Sequence, residues 1–144
     1  MNGYILDTDT CVSRIRREFD IDRRIAQVGK RNCYVSEITI AELRFGAERG
    51  NQREEQMFLI DTMYDEFTVL PITRAIRHYA AEKARLWSIG QKIGDFDILI
   101  GATAMYHKLI LVTNNTQHFE RLSVIQLENW MQDPTMEEPH HANP

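Results

Sequence analysis

Short apolar runs alternate with longer helical stretches along this 144-residue chain, and this alternation is what most limits its possible folds. Five runs are brief, rich in aliphatic or β-branched residues, and bounded by turn or capping residues, as strands are. They cover residues 4–6, 33–36, 67–70, 109–112 and 124–127. Helical periodicity covers residues 10–19, 22–28, 37–48, 53–65, 73–89 and 95–107. The pattern predicts an α/β fold, a single domain with a central parallel sheet of about five strands and helices on both faces.

The composition changes after Trp130, where the chain becomes polar, acidic and proline-containing. We therefore predict a domain over residues 1–132 and an acidic, flexible tail over residues 133–144. The apolar runs are too short for a transmembrane helix, and the first residues do not have the pattern of a signal peptide. Two cysteines are too few for a disulfide framework or a structural zinc site, so we expect a cytoplasmic protein.

The chain has a formal net charge of −4, with 17 Lys and Arg residues against 21 Asp and Glu residues. This balance disfavours a protein that coats nucleic acid through bulk positive charge, but it does not exclude a nucleic-acid enzyme. Four acids, Glu128, Asp133, Glu137 and Glu138, lie from position 128 onwards, where there is no Lys or Arg. If several of the remaining acids share one site, the surface outside that site is mildly basic.

Polar residues follow the first and the fourth predicted strands. Asp7 comes directly after the first strand, and Asn115 lies in the polar segment after the fourth. The carboxyl ends of parallel strands form the edge where α/β proteins bind ligands, so both residues are candidates for a site. Helix capping explains Asp7 equally well, and an Asn-rich turn explains Asn115 equally well. For Asp9 we expect a helix cap.

Glu42 interrupts the apolar side of the third predicted helix. It is flanked on that side by Ile38, Ala41, Leu43 and Phe45. A carboxylate in such surroundings needs a cation or hydrogen bonds to compensate for the loss of water. Glu42 is therefore either a functional acid or the partner of an arginine at the edge of the core.

Asp95 and Asp97 open the last predicted helix, which is strongly apolar. Acids in a first helical turn are ordinarily explained by capping and by the helix dipole. Residues two apart on a helix do not face the same way, so these two can share an ion only if Asp95 lies in the non-helical cap. Asp97 is the better candidate to face inward, and Asp95 is either a further ligand or a cap.

Asp7, Glu42, Asp97 and Asn115 all occupy positions that this fold sends towards one cleft. Three carboxylates and an amide form an all-oxygen donor set, which suits Mg²⁺ or Mn²⁺ rather than Zn²⁺. Without a cation, crowded carboxylates repel one another and raise one another's pKa. The chemistry that best matches such a site is metal-assisted hydrolysis of a phosphodiester.

Four segments, in this order, resemble the motifs of PIN-domain ribonucleases, and specifically of VapC-type toxins from bacterial toxin–antitoxin pairs. They are residues 6–9, 37–46, 93–102 and 112–119, and the ending Leu-Glu-Asn-Trp at 127–130 is also similar. The resemblance covers about residues 1–130. It implies a Mg²⁺- or Mn²⁺-dependent endoribonuclease that stops translation by cutting RNA. The favoured substrate is tRNA, with initiator tRNA a reasonable guess, and ribosomal RNA is the other candidate.

The resemblance also implies roles for individual residues. Asp7 and Asp97 would be the principal metal ligands, with Asp95 as an additional acid, and Glu42 would help to order metal and water. Asn115 stands where many family members have an aspartate, which weakens the case for a permanent second metal. The resemblance further implies a homodimer and a VapB-type antitoxin whose tail enters the active-site groove.

Three early arginines, Arg14, Arg17 and Arg24, are candidates for contacts with the RNA backbone, although a solvated helix surface would explain them as well. His118 has no partner at metal-ligand spacing, and no chemistry is predicted for it.

Two other functions stay open at this point. The sequence Asp-Thr-Asp-Thr at 7–10 also matches the nucleophile motif of haloacid-dehalogenase-like phosphatases, in which Asp7 would attack a phosphoryl group. That hypothesis leaves Glu42 and residues 113–119 without roles. The second alternative is a non-catalytic PIN-like module that binds RNA or protein.

Overall fold

Five parallel strands form one sheet in the computed structural model, which describes residues 2–132. The strands are β1 (Tyr4–Leu6), β2 (Cys33–Ser36), β3 (Thr68–Leu70), β4 (Ile110–Val112) and β5 (Gln126–Glu128). Their order across the sheet is β3-β2-β1-β4-β5. The predicted α/β class and the five-stranded parallel sheet are therefore confirmed. The predicted acidic tail, residues 133–144, lies outside the described residues.

Helices fill the intervals between the strands, as the periodicity predicts. They are α1 (Thr8–Ile15), α2 (Ile21–Val28), α3 (Glu37–Arg49), α4 (Arg53–Glu66), α5 (Ile76–Ser88), α6 (Asp95–His107) and the short α7 (Thr116–Phe119). Single 3₁₀ turns at Lys30–Asn32 and Thr73–Ala75 precede β2 and α5. No helix among residues 2–132 is both long enough and apolar enough to cross a membrane.

The sheet has a hydrophobic core on each face, because successive side chains of a strand point to opposite sides. On β1, Leu6 belongs to the core formed mainly with α1 to α4, whereas Ile5 belongs to the core formed mainly with α5 and α6. On β4, Val112 and Leu111 divide in the same way. Strands covered on both faces explain why these runs are continuously apolar rather than alternating.

The chain leaves β1 for β2 on one side, and later returns to place β4 on the other side of β1. The register pairs Leu6 with Val112, so the last residues of β1 and β4 lie side by side. The backbone N–H of Asp7 continues this pairing by donating to the carbonyl of Val112 over 2.9 Å. Open α/β sheets bind their ligands in the crevice that forms where the strand order reverses in this way.

Several predicted boundaries differ because non-glycine residues adopt left-handed backbone conformations. The first helix ends at Ile15 rather than at residue 19, since Arg17, Phe19 and Asp20 all have positive φ. Val124 also has positive φ and is 93% exposed, so β5 begins two residues later than predicted. No sequence pattern marks these positions, because glycine is the residue that ordinarily occupies them.

The helices differ in how their first turns are capped. The Ser36 side chain accepts a hydrogen bond from the N–H of Ile38 and caps α3. Thr73 begins a 3₁₀ turn that lies before α5, and Ala75 occupies the cap position of that helix.

The close approach of α6 to the segment before β5 depends on Gly101. This residue lies in the middle of α6, and a Cβ added there would overlap the Cδ1 atom of Leu122, a side chain that is itself buried. The α6 helix is buried around most of its circumference, as a helix with apolar residues on every side must be. Gly101 thereby sets the position of the helix that carries Asp97.

We predict that Gly101→Ala lowers the free energy of unfolding, because overpacking a filled core costs about 1–3 kcal/mol. The matched control is Gly46→Ala in α3, where an added Cβ meets nothing within 4 Å. That variant should gain up to about 1 kcal/mol from helix propensity. Urea unfolding of the two variants and the wild type measures both effects, and a Gly101→Ala protein as stable as Gly46→Ala would contradict the prediction.

Candidate active site

Asp7 lies at the centre of the site, buried at the carboxyl end of β1 with 6% of its surface exposed. Its Oδ1 accepts from the N–H of Thr8 over 2.8 Å, and its Oδ2 accepts from the Thr113 hydroxyl over 2.9 Å. Burial, and then the nearby carboxylates of Asp9 and Asp97, raise the pKa of Asp7 to about 7. The acid is therefore held in a place where its negative charge is unfavourable.

Asp7, and not Asp9, is the residue that caps α1, so the expectation for Asp9 is wrong. Asp9 lies in the first turn of α1, and its Oδ2 accepts from the backbone N–H of Asn114 over 3.0 Å. The Thr113 hydroxyl lies between the two acids, 2.9 Å from Asp7 Oδ2 and 3.3 Å from Asp9 Oδ2. The hydrogen bond from Asn114 to Asp9 thus connects the segment after β4 to α1.

Glu42 is half-buried on α3 and faces α1. Its Oε1 accepts from the Thr8 hydroxyl over 2.8 Å. Burial raises the pKa of Glu42 most, and the charge of Asp97 raises it further, against the lowering effect of the Thr8 hydrogen bond. The predicted apolar surroundings of Glu42 are only partly correct, because the buried side of α3 is formed by Thr39, Ile40, Leu43 and Ala47. Ala41 and Phe45 are exposed, and Glu42 lies at the edge of the buried side.

Asp97 lies in the first turn of α6 with 37% of its side chain exposed. Its charge raises the pKa of both Asp7 and Glu42, so Asp97 is electrostatically coupled to each of these acids. The Oδ2 atom of Asp97 is 3.0 Å from the Nε2 atom of His118, which lies on α7. The sequence provides no sign of this contact, since the two residues are 21 positions apart.

Asp95 is held by α5 instead. Its Oδ1 accepts from Lys83 Nζ over 2.7 Å and from the Tyr79 hydroxyl over 2.9 Å. These hydrogen bonds lower the pKa of Asp95, that from Lys83 the most. Gly94 occupies the cap position of α6 and Asp95 lies in the first turn, so the structure rules out the cap among the two alternatives for Asp95. The two acids engage different elements, Asp95 with α5 and Asp97 with α7, as their spacing of two residues on a helix dictates.

Asn115 is exposed at the start of α7 and does not cap that helix through its side chain. Its backbone N–H donates to the Thr113 hydroxyl over 3.0 Å. Thr113 therefore connects Asn115 to Asp7 and Asp9 at the end of β4. The structure brings the Asn115 segment to the same edge of the sheet as the three acids.

Arg14 is engaged inside the protein. Its side chain is only 16% exposed and lies 2.8 Å from Asp22 and 2.7 Å from Glu66, with the guanidinium over the ring of Phe67. It connects α1, α2 and α4, which argues against the predicted RNA contact for this residue. Among the predicted RNA-binding arginines, Arg17 is exposed and Arg24 is partly exposed.

A cleft of about 280 Å³ adjoins Glu42 between α1, α3 and α4. Its polar lining includes Thr8, Arg16 and Glu42, and its apolar lining includes Val12, Ile15, Leu43 and Ile60. Arg16, another of the early arginines, shares this cleft with Glu42.

The donor atoms of Asp7, Glu42 and Asp97 are all oxygens, the ligands that Mg²⁺ and Mn²⁺ prefer. Within residues 2–132, no three His, Cys, Asp or Glu side chains are gathered tightly enough to hold an ion by themselves. Mg²⁺ usually keeps several waters and is bound through one or two carboxylates together with substrate phosphates. The donor chemistry of these acids therefore suits such an ion, which would complete its coordination with water or phosphate.

The sequence of this chain is similar to that of known proteins. The family model of the PIN domain matches residues 4–125. Ribonuclease VapC2 of Haemophilus influenzae is 38% identical over 133 residues, which cover 91% of this chain and 100% of that relative. The tRNA(fMet)-specific endonuclease VapC of Shigella flexneri is 30% identical over 131 residues, covering 90% of this chain and 99% of the relative.

The fold is also similar to that of solved structures. A crystal structure of DNA-bound VapBC from Salmonella typhimurium has a TM-score of 0.83 and 31% identity, covering 90% of this chain and 99% of that chain. Together with the match over residues 4–125, these likenesses show that the chain belongs to the PIN-domain family, among the VapC ribonucleases.

Proposed function

We propose that this protein is a Mg²⁺- or Mn²⁺-dependent endoribonuclease and the toxin of a toxin–antitoxin pair. The observation that carries the proposal is the burial of Asp7 where its charge is unfavourable, with Asp97 close enough to raise the pKa of both Asp7 and Glu42. A divalent cation bound by these acids would offset that charge. The similarity of the chain to named ribonucleases supports RNA as the substrate.

In this proposal Asp7 and Asp97 hold the ion, and Glu42 orients a water molecule. When bound, the ion would activate water and stabilise negative charge on the attacked and leaving oxygens of the phosphodiester. Asn115, exposed at the same edge, would hold a water or a phosphate oxygen. Asp95 is the least supported ligand, because Lys83 and Tyr79 already engage its carboxylate.

The substrate we propose is tRNA, because relatives from Shigella flexneri and Salmonella typhimurium are named tRNA(fMet)-specific endonucleases. Initiator tRNA is the first substrate to test. Arg17 and Arg24, together with Arg16 beside Glu42, would contact the RNA backbone. Cutting such an RNA in the cytoplasm would inhibit translation.

We propose that the protein partner is a VapB-type antitoxin, as in the VapBC complexes of similar fold. The cleft beside Glu42 is apolar along Val12, Ile15, Leu43 and Ile60, so it would accept apolar side chains of a protein segment next to the acids. We also propose that the protein forms a homodimer. We place the PIN domain at residues 1–132 and an acidic tail at residues 133–144.

The phosphatase alternative is disfavoured by the site itself. It leaves Glu42 and residues 113–119 without roles, whereas Glu42 bonds Thr8, and Thr113 bonds Asp7. The alternative also conflicts with membership of the PIN-domain family. A cleavage assay distinguishes a nuclease from a non-catalytic module that binds RNA or protein.

We expect Asp7→Asn and Asp97→Asn each to lower Mn²⁺-dependent RNA cleavage by more than about 100-fold, since a metal ion contributes several kcal/mol of charge stabilisation. EDTA should abolish the wild-type activity. The matched control is Asp65→Asn, an exposed acid of α4 that should leave the rate unchanged. Cleavage by both site variants at the wild-type rate would refute the metal site, and no cleavage by the wild type would favour a binding module.

We expect the double variant Arg17→Gln/Arg24→Gln to bind RNA more weakly and with a smaller salt dependence. Each lost phosphate contact should reduce the slope of log affinity against log salt by roughly 0.7 to 1. Arg77→Gln, in an exposed part of α5, is the control of equal charge change per residue. Filter binding to tRNA at several salt concentrations gives the slopes, and equal slopes for all proteins would remove these arginines from the proposal.

We expect Asp7→Asn to stabilise the metal-free protein at pH 8 by about 2–4 kcal/mol, while having little effect at pH 4. The folded protein raises the pKa of Asp7 from its ordinary value of 3.8 to about 7. Ionisation of Asp7 therefore opposes folding, with a penalty that is absent below pH 4, grows up to pH 7 and then stays constant. Asparagine has no such penalty.

Urea unfolding in EDTA at pH 4, 6 and 8 measures the difference between this variant and the wild type, with Asp65→Asn again as the control. A stability difference that does not change with pH would contradict the raised pKa of Asp7.

A further inference from the structure

His118 lies between an acid of the site and a permanent cation. Its Nε2 atom is 3.0 Å from Asp97 Oδ2, and its Nδ1 atom faces the Nη2 atom of Arg121 at hydrogen-bond distance. His118 is about one-fifth exposed at its side chain, so the contact with Asp97 is partly shielded from water.

The partner on Nδ1 determines which nitrogen of His118 carries the proton. A guanidinium has only hydrogen-bond donors, so the Nδ1 atom that faces Arg121 must be an acceptor. The hydrogen of the neutral imidazole is then on Nε2, where it points at the carboxylate of Asp97. The network therefore makes His118 a hydrogen-bond donor to Asp97.

Arg121 is itself held in place by its neighbours. Its Nε donates to the carbonyl of His118 over 3.2 Å, and its own carbonyl accepts from Arg85 Nη2 over 2.6 Å. Arg85 also donates to Glu82, a buried acid of α5 that accepts from Ser123. The contact to Asp97 is thus anchored through Arg121 to α5.

We propose that His118 is a positioning residue that fixes Asp97 as a metal ligand. Its Nε2–H holds the Oδ2 atom and thereby fixes the orientation of the carboxylate that would bind the ion. The inference rests on the proposed function, because it concerns the ion that Asp7 and Asp97 would share. Hydrogen bonds to ligating carboxylates are a general means of orienting them, and their loss typically costs 10- to 100-fold in metal affinity or activity.

The test compares two substitutions at the same position. His118→Gln keeps an N–H donor near the place of Nε2, whereas His118→Phe keeps a planar ring but has no donor. His78→Phe removes an exposed imidazole of α5, outside the site, and serves as the control. Mn²⁺ affinity is measured from the EPR signal of free Mn²⁺, and melting in EDTA checks that each protein folds.

We expect His118→Phe to weaken Mn²⁺ binding by about 10- to 100-fold. His118→Gln should stay within about threefold of the wild type, a rescue that general loss of packing would not produce. The pulsed EPR spectrum of the wild type should show no directly bound nitrogen. Cleavage kinetics should show the same order of variants, with a lower apparent affinity for Mn²⁺ and not for RNA.

Three results would overturn the inference. They are equal Mn²⁺ affinity in His118→Phe and wild type, equal loss in the Phe and Gln variants, and nitrogen coupling from a directly bound imidazole. A wild type that binds no Mn²⁺ would overturn the proposed function as well. Binding by the wild type that is indifferent to His118→Phe would overturn the positioning role alone.

Discussion

The structure is organised around one unfavourable charge, the carboxylate of Asp7 at the end of the central strand. Two neighbouring acids and the loss of water both act against its ionisation. Among residues 2–132, the amide of Thr8 and the hydroxyl of Thr113 compensate by donating hydrogen bonds to it. Such an arrangement costs folding stability, so packing alone does not explain why it is present. Strongly perturbed acids in a cleft therefore indicate a functional site.

Each acid of the site is held by a different element, and these hydrogen bonds connect the elements around the cleft. Thr8 of α1 donates to Glu42 of α3, Thr113 after β4 donates to Asp7, and His118 of α7 contacts Asp97 of α6. The geometry of the acids therefore depends on how the helices pack on the sheet. A substitution at Gly101 that displaces α6 would therefore alter both the packing of the core and the position of Asp97.

The elements and the three acids were predictable from the sequence because they follow from local patterns. Two strands, Tyr4–Leu6 and Cys33–Ser36, and the helix Asp95–His107 have the predicted bounds. The contacts of Asp9 with Asn114 and of His118 with Asp97 could not be predicted. The two residues of each pair are 105 and 21 positions apart, and only the folded geometry brings them together. The early end of α1 likewise depends on left-handed residues that no local signal marks.

The placement of β4 beside β1 has a consequence for the synthesis of the protein. Tyr4 pairs with Ile110, so the central strand acquires its second neighbour only after most of the chain has been made. Thr113 and His118, which hold Asp7 and Asp97, come later still. A nascent chain therefore contains Asp7 long before it can assemble the candidate site, which requires the residues that follow β4 to have left the ribosome.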